Sequence, residues 1–204
     1  DDVVHLYVKD SAFNGPSDSL DPGITDAVLE NSTFNGDPDP GGARHRIEHA
    51  EVLTDEGIER FAELGVVASV QPNFLKWARE EGLYEDRLGT ARREASNRYR
   101  DLLDAGVPLA FGSDGMPLDP LFGVHQAVNA PTDAQRLSVT EALRAYTSGA
   151  AYAGFDEDRV GTIEVGKRAD LVALERSPWE HPDEIEEIDV ALTVVDGEMV
   201  YDGR

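Results

Sequence analysis

The sequence predicts an α/β fold in which parallel strands alternate with helices, followed by a small antiparallel part. Up to about residue 153, strand-like and helix-like segments alternate four times, which is typical of parallel βα units. After that point, DVALTVVDGEMVYDG predicts a hairpin around Asp196-Gly197. We therefore expect two domains, over residues 1–153 and 154–204.

Four segments have the composition of strands. VVHLYVKD (3–10) is rich in β-branched and aromatic residues, and VVASV (66–70) and PLAFGSD (108–114) contain the apolar runs of strands buried on both faces. GTIEVGKRADLVAL (161–174) predicts a strand, a turn and a second strand.

Helices are predicted between these strands. LTDEGIERFAELG (53–65) carries Thr54 as N-cap and Gly65 just past its end. The other predicted helices are ITDAVLENS (24–32), ARREASNRYRDLLDA (91–105) and SVTEALRAYTSGAAYAG (138–154), the last opening with a capping box between Ser138 and Glu141.

HRIEH (45–49) has two interpretations. As H-x-x-E-H on a helix it would match the zinc site of an inverzincin protease. As a strand over Arg44–His49 it supplies the member that the strand–helix alternation requires, with His45, Ile47 and His49 on one face. The alternation favours the strand.

His49 and Asp114 each end a predicted strand, which is where parallel α/β folds carry their catalytic groups. Neutral imidazole and carboxylate are ligands for zinc and similar ions, and a metal-acidified water would attack a carbonyl or imine carbon. The structural alternative remains open at this point: a hydrogen-bonded histidine and an aspartate that caps the next helix.

The composition limits the possible partners. The net charge is −23, from 41 acidic and 18 basic residues, and only three of the basic ones are lysine. We expect a protein adapted to very high salt, and such a charge disfavours nucleic acid and anionic membranes as partners. The chain has no cysteine and no apolar run of membrane-spanning length, so we expect it in the cytoplasm. It begins without methionine, in a predicted strand, which suggests a piece of a larger protein.

From residue 44 to 204, the order of segments resembles the C-terminal half of the amidohydrolase superfamily, in its amidohydrolase family 3 branch. The resemblance is carried by RHRIEHAEVLTDEGIERFAELGVVASVQP, LLDAGVPLAFGSDGMPLDPLFGV and SVTEALRAYTSGAAYAGFDEDRVGTIEVGKRADLVAL, in this order. It implies a partial (β/α)8 TIM-type barrel, comprising the region of strands 5–8, and the C-terminal strands of a small β-sandwich.

The resemblance also implies roles for individual residues. His49 corresponds to a metal ligand at the end of barrel strand 6, and Asp114 to a strand 8 aspartate that binds metal and acts as general base. Gln71 lies in the QP pair near the substrate, and the region of His125 borders the substrate pocket. The implied cofactor is a divalent metal, zinc or else iron or manganese.

The sequence also departs from the family pattern at several metal-ligand positions. The His-x-His pair of strand 1 and the bridging ligand of strand 4 have no counterpart here, and Tyr7 stands where the strand 5 histidine is expected. His5, two residues earlier, is a candidate replacement ligand.

Two functions follow as expectations. The first is a metal-dependent hydrolase of non-peptide carbon–nitrogen bonds, acting on a small amide or cyclic amide and completed by an N-terminal half or by homo-oligomerisation. The second is a catalytically inactive remnant that serves in assembly or regulation.

Overall fold

The computed structural model describes residues 44–115 and 117–203, and before them the backbone of four strands. These four pair in parallel, the first with the third and the second with the fourth. Their bounds are β1 Val4–Lys9, β2 Ala12–Asn14, β3 Ile24–Glu30 and β4 Thr33–Asn35. The predicted strand over residues 3–10 is therefore present as β1, while the side chain of His5 lies outside the described residues.

A three-stranded parallel sheet forms the centre of the described structure. It consists of β5 Arg46–Glu48, β6 Val67–Val70 and β7 Leu109–Phe111, in that order. Successive side chains of these strands point to opposite faces of the sheet. Val70 and Phe111 belong to the main hydrophobic core on one face, and Val67 and Ala110 pack with Ala153 on the other. Apolar residues on both faces of these strands account for their buried position.

Helix α1, Asp55–Leu64, connects β5 to β6 and has the predicted ends. The Thr54 hydroxyl accepts a hydrogen bond from the Gly57 amide at 3.1 Å, and Gly65 adopts a left-handed φ of 61°. Ile58 and Phe61 face the core. Because the caps and the apolar stripe are local in sequence, this helix was predictable from sequence to within one residue.

The connection from β6 to β7 contains several short helices. They are a 3₁₀ helix Pro72–Trp77, α2 Leu83–Leu88, α3 Thr90–Glu94 and α4 Tyr99–Asp104. The single helix predicted over 91–105 is thus wrong in its middle. Asn97 breaks it with a φ of 51°, and its amide donates to the Glu51 carbonyl at 2.7 Å, so a contact distant in sequence overrides local propensity.

After β7 come α5, Pro120–Val128, and a long helical segment over 139–153. The latter comprises α6 Val139–Arg144, a π-helical turn Ala145–Gly149 and α7 Ala150–Ala153. Ser138 and Glu141 form the predicted capping box.

The C-terminal part is an antiparallel sheet in the order β10-β9-β8. Its strands are β8 Leu171–Leu174, β9 Val190–Val195 and β10 Glu198–Asp202, with a 3₁₀ helix Pro182–Glu187 before β9. Asp196 and Gly197 make the predicted hairpin turn, both with positive φ. These elements confirm the α/β class.

Two further predictions of local structure are wrong. Residues 24–30 form strand β3 instead of a helix, because the segment pairs in parallel with β1 and short segments of weak propensity follow their tertiary partners. In the segment 161–174 only β8 is a strand; Ile163 and Val165 before it are almost fully exposed and belong to no strand.

Strand β5 itself decides between the two interpretations of HRIEH. Residues 46–48 are extended and paired with β6, so the two histidines do not share a helical face and the inverzincin arrangement is excluded. In the described part of the chain, no helix has the length and apolar character needed to cross a membrane.

Arg44 anchors the start of β5 to the end of the helical segment. Its guanidinium pairs with the Glu157 carboxylate, donates to the Tyr152 carbonyl at 2.7 Å and lies 3.9 Å from the centre of the Tyr152 ring. This clamp fixes β5 at one end, and His49 follows at the other.

Candidate metal centre

Three of the predicted site residues lie at one edge of the parallel sheet. His49 follows β5, Gln71 follows β6, and Asp114 comes three residues after the end of β7. The register pairs Glu48 with Ser69 and Val70 with Phe111, so the carboxyl ends of all three strands meet at the same edge. The sheet therefore brings these residues to one side of the molecule, as the alternation predicted for His49 and Asp114.

His49 has a strained backbone. Its φ is 69°, its amide donates to the Ser69 carbonyl at 2.8 Å, and the next amide, of Ala50, donates back to the Glu48 carbonyl at 2.9 Å. An i→i+2 hydrogen bond around a residue with positive φ makes a γ-turn of the uncommon kind. Such conformations cost about 1–3 kcal/mol and cluster at functional sites.

The His49 imidazole is held by packing, and one of its ring nitrogens makes no hydrogen bond to the described residues. Its ring stacks on Phe74, with centroids 5.9 Å apart and planes within 10° of parallel. Nδ1 is buried and has no hydrogen-bond partner among the described residues. A buried polar atom without a partner is costly and calls for an explanation such as a bound ion, and imidazole nitrogen is a preferred ligand of zinc.

Gln71 shows the same feature at the end of the central strand. Its side chain is 6 % exposed, and Oε1 is buried with no partner among the described residues. The backbone of Gln71 is fixed, because the Tyr99 hydroxyl lies 3.1 Å from its carbonyl oxygen. Burial raises the pKa of Tyr99 well above its ordinary value, so this hydroxyl stays protonated.

Asp114 lies on the loop after β7 and is exposed. Its φ of 47° again places a candidate residue in the left-handed region, which aspartate tolerates better than most side chains. Within the described ranges, no three side chains of histidine, aspartate or glutamate come together as a metal-binding group. The donor atoms of His49 and Asp114 are suitable for a metal ion, but these two residues alone do not make a complete set of ligands.

His125 occupies a different environment. It lies on α5, with Nε2 3.4 Å from the Glu186 carboxylate, and Asn129 on the next turn donates to the Pro182 carbonyl at 2.9 Å. These contacts join α5 to the 3₁₀ helix 182–187. Its assignment to substrate binding stays a prediction.

Sequence reasoning missed two polar residues behind the site. Asn73 is fully buried and accepts a hydrogen bond from the Tyr146 hydroxyl, 2.9 Å away and 73 positions later in the chain. Asn73 also donates to the Pro117 carbonyl at 2.8 Å. The available sequence signal was weak: a polar residue after Gln71-Pro72, in an otherwise apolar stretch.

Comparison with known proteins identifies the family. The sequence profile of the amidohydrolase family matches residues 21–201. The chain belongs to the amidohydrolase family. The YtcJ protein of Bacillus subtilis (strain 168) is 33% identical over 178 residues, which cover 81% of this chain and 33% of that protein.

Two solved hydrolase structures resemble this chain in fold. An uncharacterised metal-dependent hydrolase from Pyrococcus furiosus is 33% identical, with a TM-score of 0.59 over 70% of this chain and 31% of the other. Atrazine chlorohydrolase TrzN from Arthrobacter aurescens TC1, solved in complex with zinc, is 24% identical, with a TM-score of 0.55 over 77% and 36% of the two chains. The latter likeness shows the fold alone. This amidohydrolase chain spans about a third of the length of each of these proteins.

Proposed function

We propose that this chain is part of a metal-dependent hydrolase that cleaves non-peptide carbon–nitrogen bonds. The observation that carries the proposal is the buried, unpaired Nδ1 of His49 at the sheet edge that also bears Asp114. Family membership supports the reaction class.

His49 and Asp114 would hold a divalent metal, with His5 as our candidate for a further ligand. Nitrogen and carboxylate oxygen donors suit zinc, and iron and manganese share them. When bound, such an ion supplies an acidified water as nucleophile at neutral pH.

The chain's own groups would perform the remaining steps. The exposed Asp114 carboxylate would accept a proton from the attacking water and later return it to the leaving nitrogen. The buried Oε1 of Gln71 would accept a hydrogen bond from an N–H of the substrate and so orient an amide or cyclic amide.

Completion of the site requires groups beyond His49 and Asp114. We infer that residues 1–153 form part of a (β/α)8 barrel, that 154–204 supply strands of a small β-sandwich, and that an N-terminal half or a second copy adds the missing ligands. The supporting facts are the incomplete donor set among described residues and the chain's share of its relatives' length.

Metal binding tests the proposal directly. Zinc affinity would be measured by chelator competition in molar KCl for the chain, for His49→Ala and for Asp114→Ala. We expect each substitution to weaken binding by at least about tenfold, since each removes one ligand. His181→Ala and Asp133→Ala, which change the same residue types elsewhere, should bind as the unaltered chain does.

Zinc binding that persists unchanged in both site variants would overturn the proposed ligands. No binding in the unaltered chain, at any oligomeric state, would leave the inactive remnant as the better hypothesis.

A further inference from the structure

Three contacts hold the loop that carries Asp114. At its start, the Gly112 amide donates to the Val70 carbonyl at 3.1 Å. At its end, the Asp119 carboxylate caps α5 by accepting from the Leu121 amide at 3.0 Å. Between these points, the Pro117 carbonyl accepts from the Asn73 side chain at 2.8 Å.

The Asn73 carboxamide has one possible orientation. The Pro117 carbonyl can only accept, so the NH₂ group of Asn73 must face it. The carboxamide oxygen then faces the Tyr146 hydroxyl, which donates to it at 2.9 Å. The Pro117 carbonyl thus sets the orientation of the amide and the Tyr146 hydroxyl holds its oxygen, so Asn73 links Tyr146 to the loop.

The surrounding packing supports this arrangement. A Cβ at Gly123 on α5 would lie 1.9 Å from the Tyr146 hydroxyl oxygen and 2.5 Å from Oδ1 of Asn73, so the helix leaves room for this pair. Tyr146 itself comes from the π-helical turn 145–149, an irregularity that is frequent at functional sites. Burial, with the negative charge of Asp119, raises the pKa of the Tyr146 hydroxyl well above its ordinary value and keeps it a donor.

We infer that Asn73, held in place by Tyr146, is a positioning residue that fixes the Asp114 loop through the Pro117 carbonyl. The importance of that loop rests on the proposed function, in which Asp114 binds metal and accepts the proton. The contacts that hold it do not depend on a metal.

Amide hydrogen exchange, followed by mass spectrometry in molar KCl, tests the inference without any activity. Asn73→Ala and Tyr146→Phe should each speed exchange in peptides covering residues 112–115 by about five- to tenfold, the effect of losing one hydrogen bond. Exchange in α1 should change little. Tyr201→Phe, which removes a hydroxyl from the exposed strand β10, is the matched control.

A double-mutant cycle separates positioning from general stabilisation. If Tyr146 acts through Asn73, adding Tyr146→Phe to Asn73→Ala produces no further increase in exchange. Unchanged exchange in both single variants, or an equal increase in α1, would overturn the inference, as would two additive effects.

Cobalt binding gives a readout at the metal site itself. With Co²⁺ as probe, Asn73→Ala and Tyr146→Phe should alter the visible absorption bands while Tyr201→Phe leaves them unchanged; unaltered bands in both variants would contradict positioning of Asp114. If the unaltered chain binds no cobalt, completion of the site by a second copy is excluded, and the exchange data alone decide the role of Asn73.

Discussion

At the scale of the residue, His49 and Asp114 share a strained backbone conformation, which Ala50, directly after His49, adopts as well. Both adopt left-handed φ values, 69° and 47°, in the segments that follow parallel strands. Crowding between Cβ and the following carbonyl makes this conformation cost about 1–2 kcal/mol for residues other than glycine. The structure holds both side chains in place despite that cost.

Because of this strain, we expect glycine to be a more stabilising replacement than alanine at positions 49 and 114, which is the reverse of the usual order. His49→Gly should be more stable than His49→Ala by about 1 kcal/mol, and Asp114→Gly more stable than Asp114→Ala by a similar amount, because glycine adopts positive φ freely. Urea unfolding would measure the differences. At Ser113, whose φ is not positive, alanine should be the more stable replacement. The strain argument fails if alanine is also preferred at 49 and 114.

At the scale of the element, helix α5 depends on a glycine for its packing. Replacing glycine by alanine inside a helix normally stabilises it by about 1 kcal/mol. Gly123→Ala should instead destabilise the protein by about 1–3 kcal/mol, because the new methyl group would overlap Tyr146 and Asn73.

Thermal and urea unfolding would test the Gly123 prediction. Gly154→Ala, where a Cβ meets only ordinary contacts, serves as control. Combining Gly123→Ala with Tyr146→Phe should recover part of the loss, since it removes the nearest overlapping atom; a combined variant less stable than Gly123→Ala alone would argue against steric overlap.

The N-terminus of α6 is expected to be sensitive to acid through Glu141. Burial alone would raise the pKa of this carboxyl, but hydrogen bonds from Arg100 and Ser138 outweigh it and lower the pKa from 4.5 to about 2. A lowered pKa stabilises the fold at pH values above 4.5, and that contribution disappears as the pH falls towards 2.

The stability difference between the unaltered chain and Glu141→Gln should therefore shrink from roughly 2 kcal/mol at pH 6 to near zero at pH 2, allowing for partial exposure. Urea unfolding across this range measures it. Glu59→Gln, on the exposed side of α1, should show no such trend. A difference that stays constant with pH would exclude the ionised Glu141 as the stabilising group.

How well each element could be predicted depended on how local its determinants are. Helix α1 and the 196–197 turn carry their caps and turn residues within their own sequence, and both were predicted correctly. Strand β3 and the break at Asn97 depend on partners elsewhere in the chain, β1 and Glu51 respectively, which no local pattern contains. Both were predicted wrongly for that reason.

The same distinction applies to the candidate site. His49 and Asp114 could be placed at one sheet edge from the strand–helix alternation alone, since parallel strands bring their carboxyl ends together, whereas Gln71 was singled out through the family resemblance. The Asn73–Tyr146 hydrogen bond spans 73 positions and depends on the space beside Gly123, so it became visible only in three dimensions.

At the scale of the whole molecule, the net charge of −23 is the dominant property. Like charges on one compact chain repel one another and destabilise the folded state. Local ion pairs such as Arg98 with Asp55 and Asp101 use some of the acidic side chains, but 41 acidic residues far outnumber 18 basic ones. Stability should therefore depend strongly on ionic strength.

We expect the free energy of unfolding in urea to rise by on the order of 2 kcal/mol between 0.1 M and 1 M KCl, because the screening length falls from about 10 Å to about 3 Å. If screening is the cause, most of the gain is complete by about 1 M and NaCl gives the same curve. A gain that continues steeply to 3 M, or that differs between the two salts, would point instead to specific hydration of the acidic surface. Stability that does not change with salt would contradict the repulsion argument and, with it, our prediction of a protein adapted to high salt.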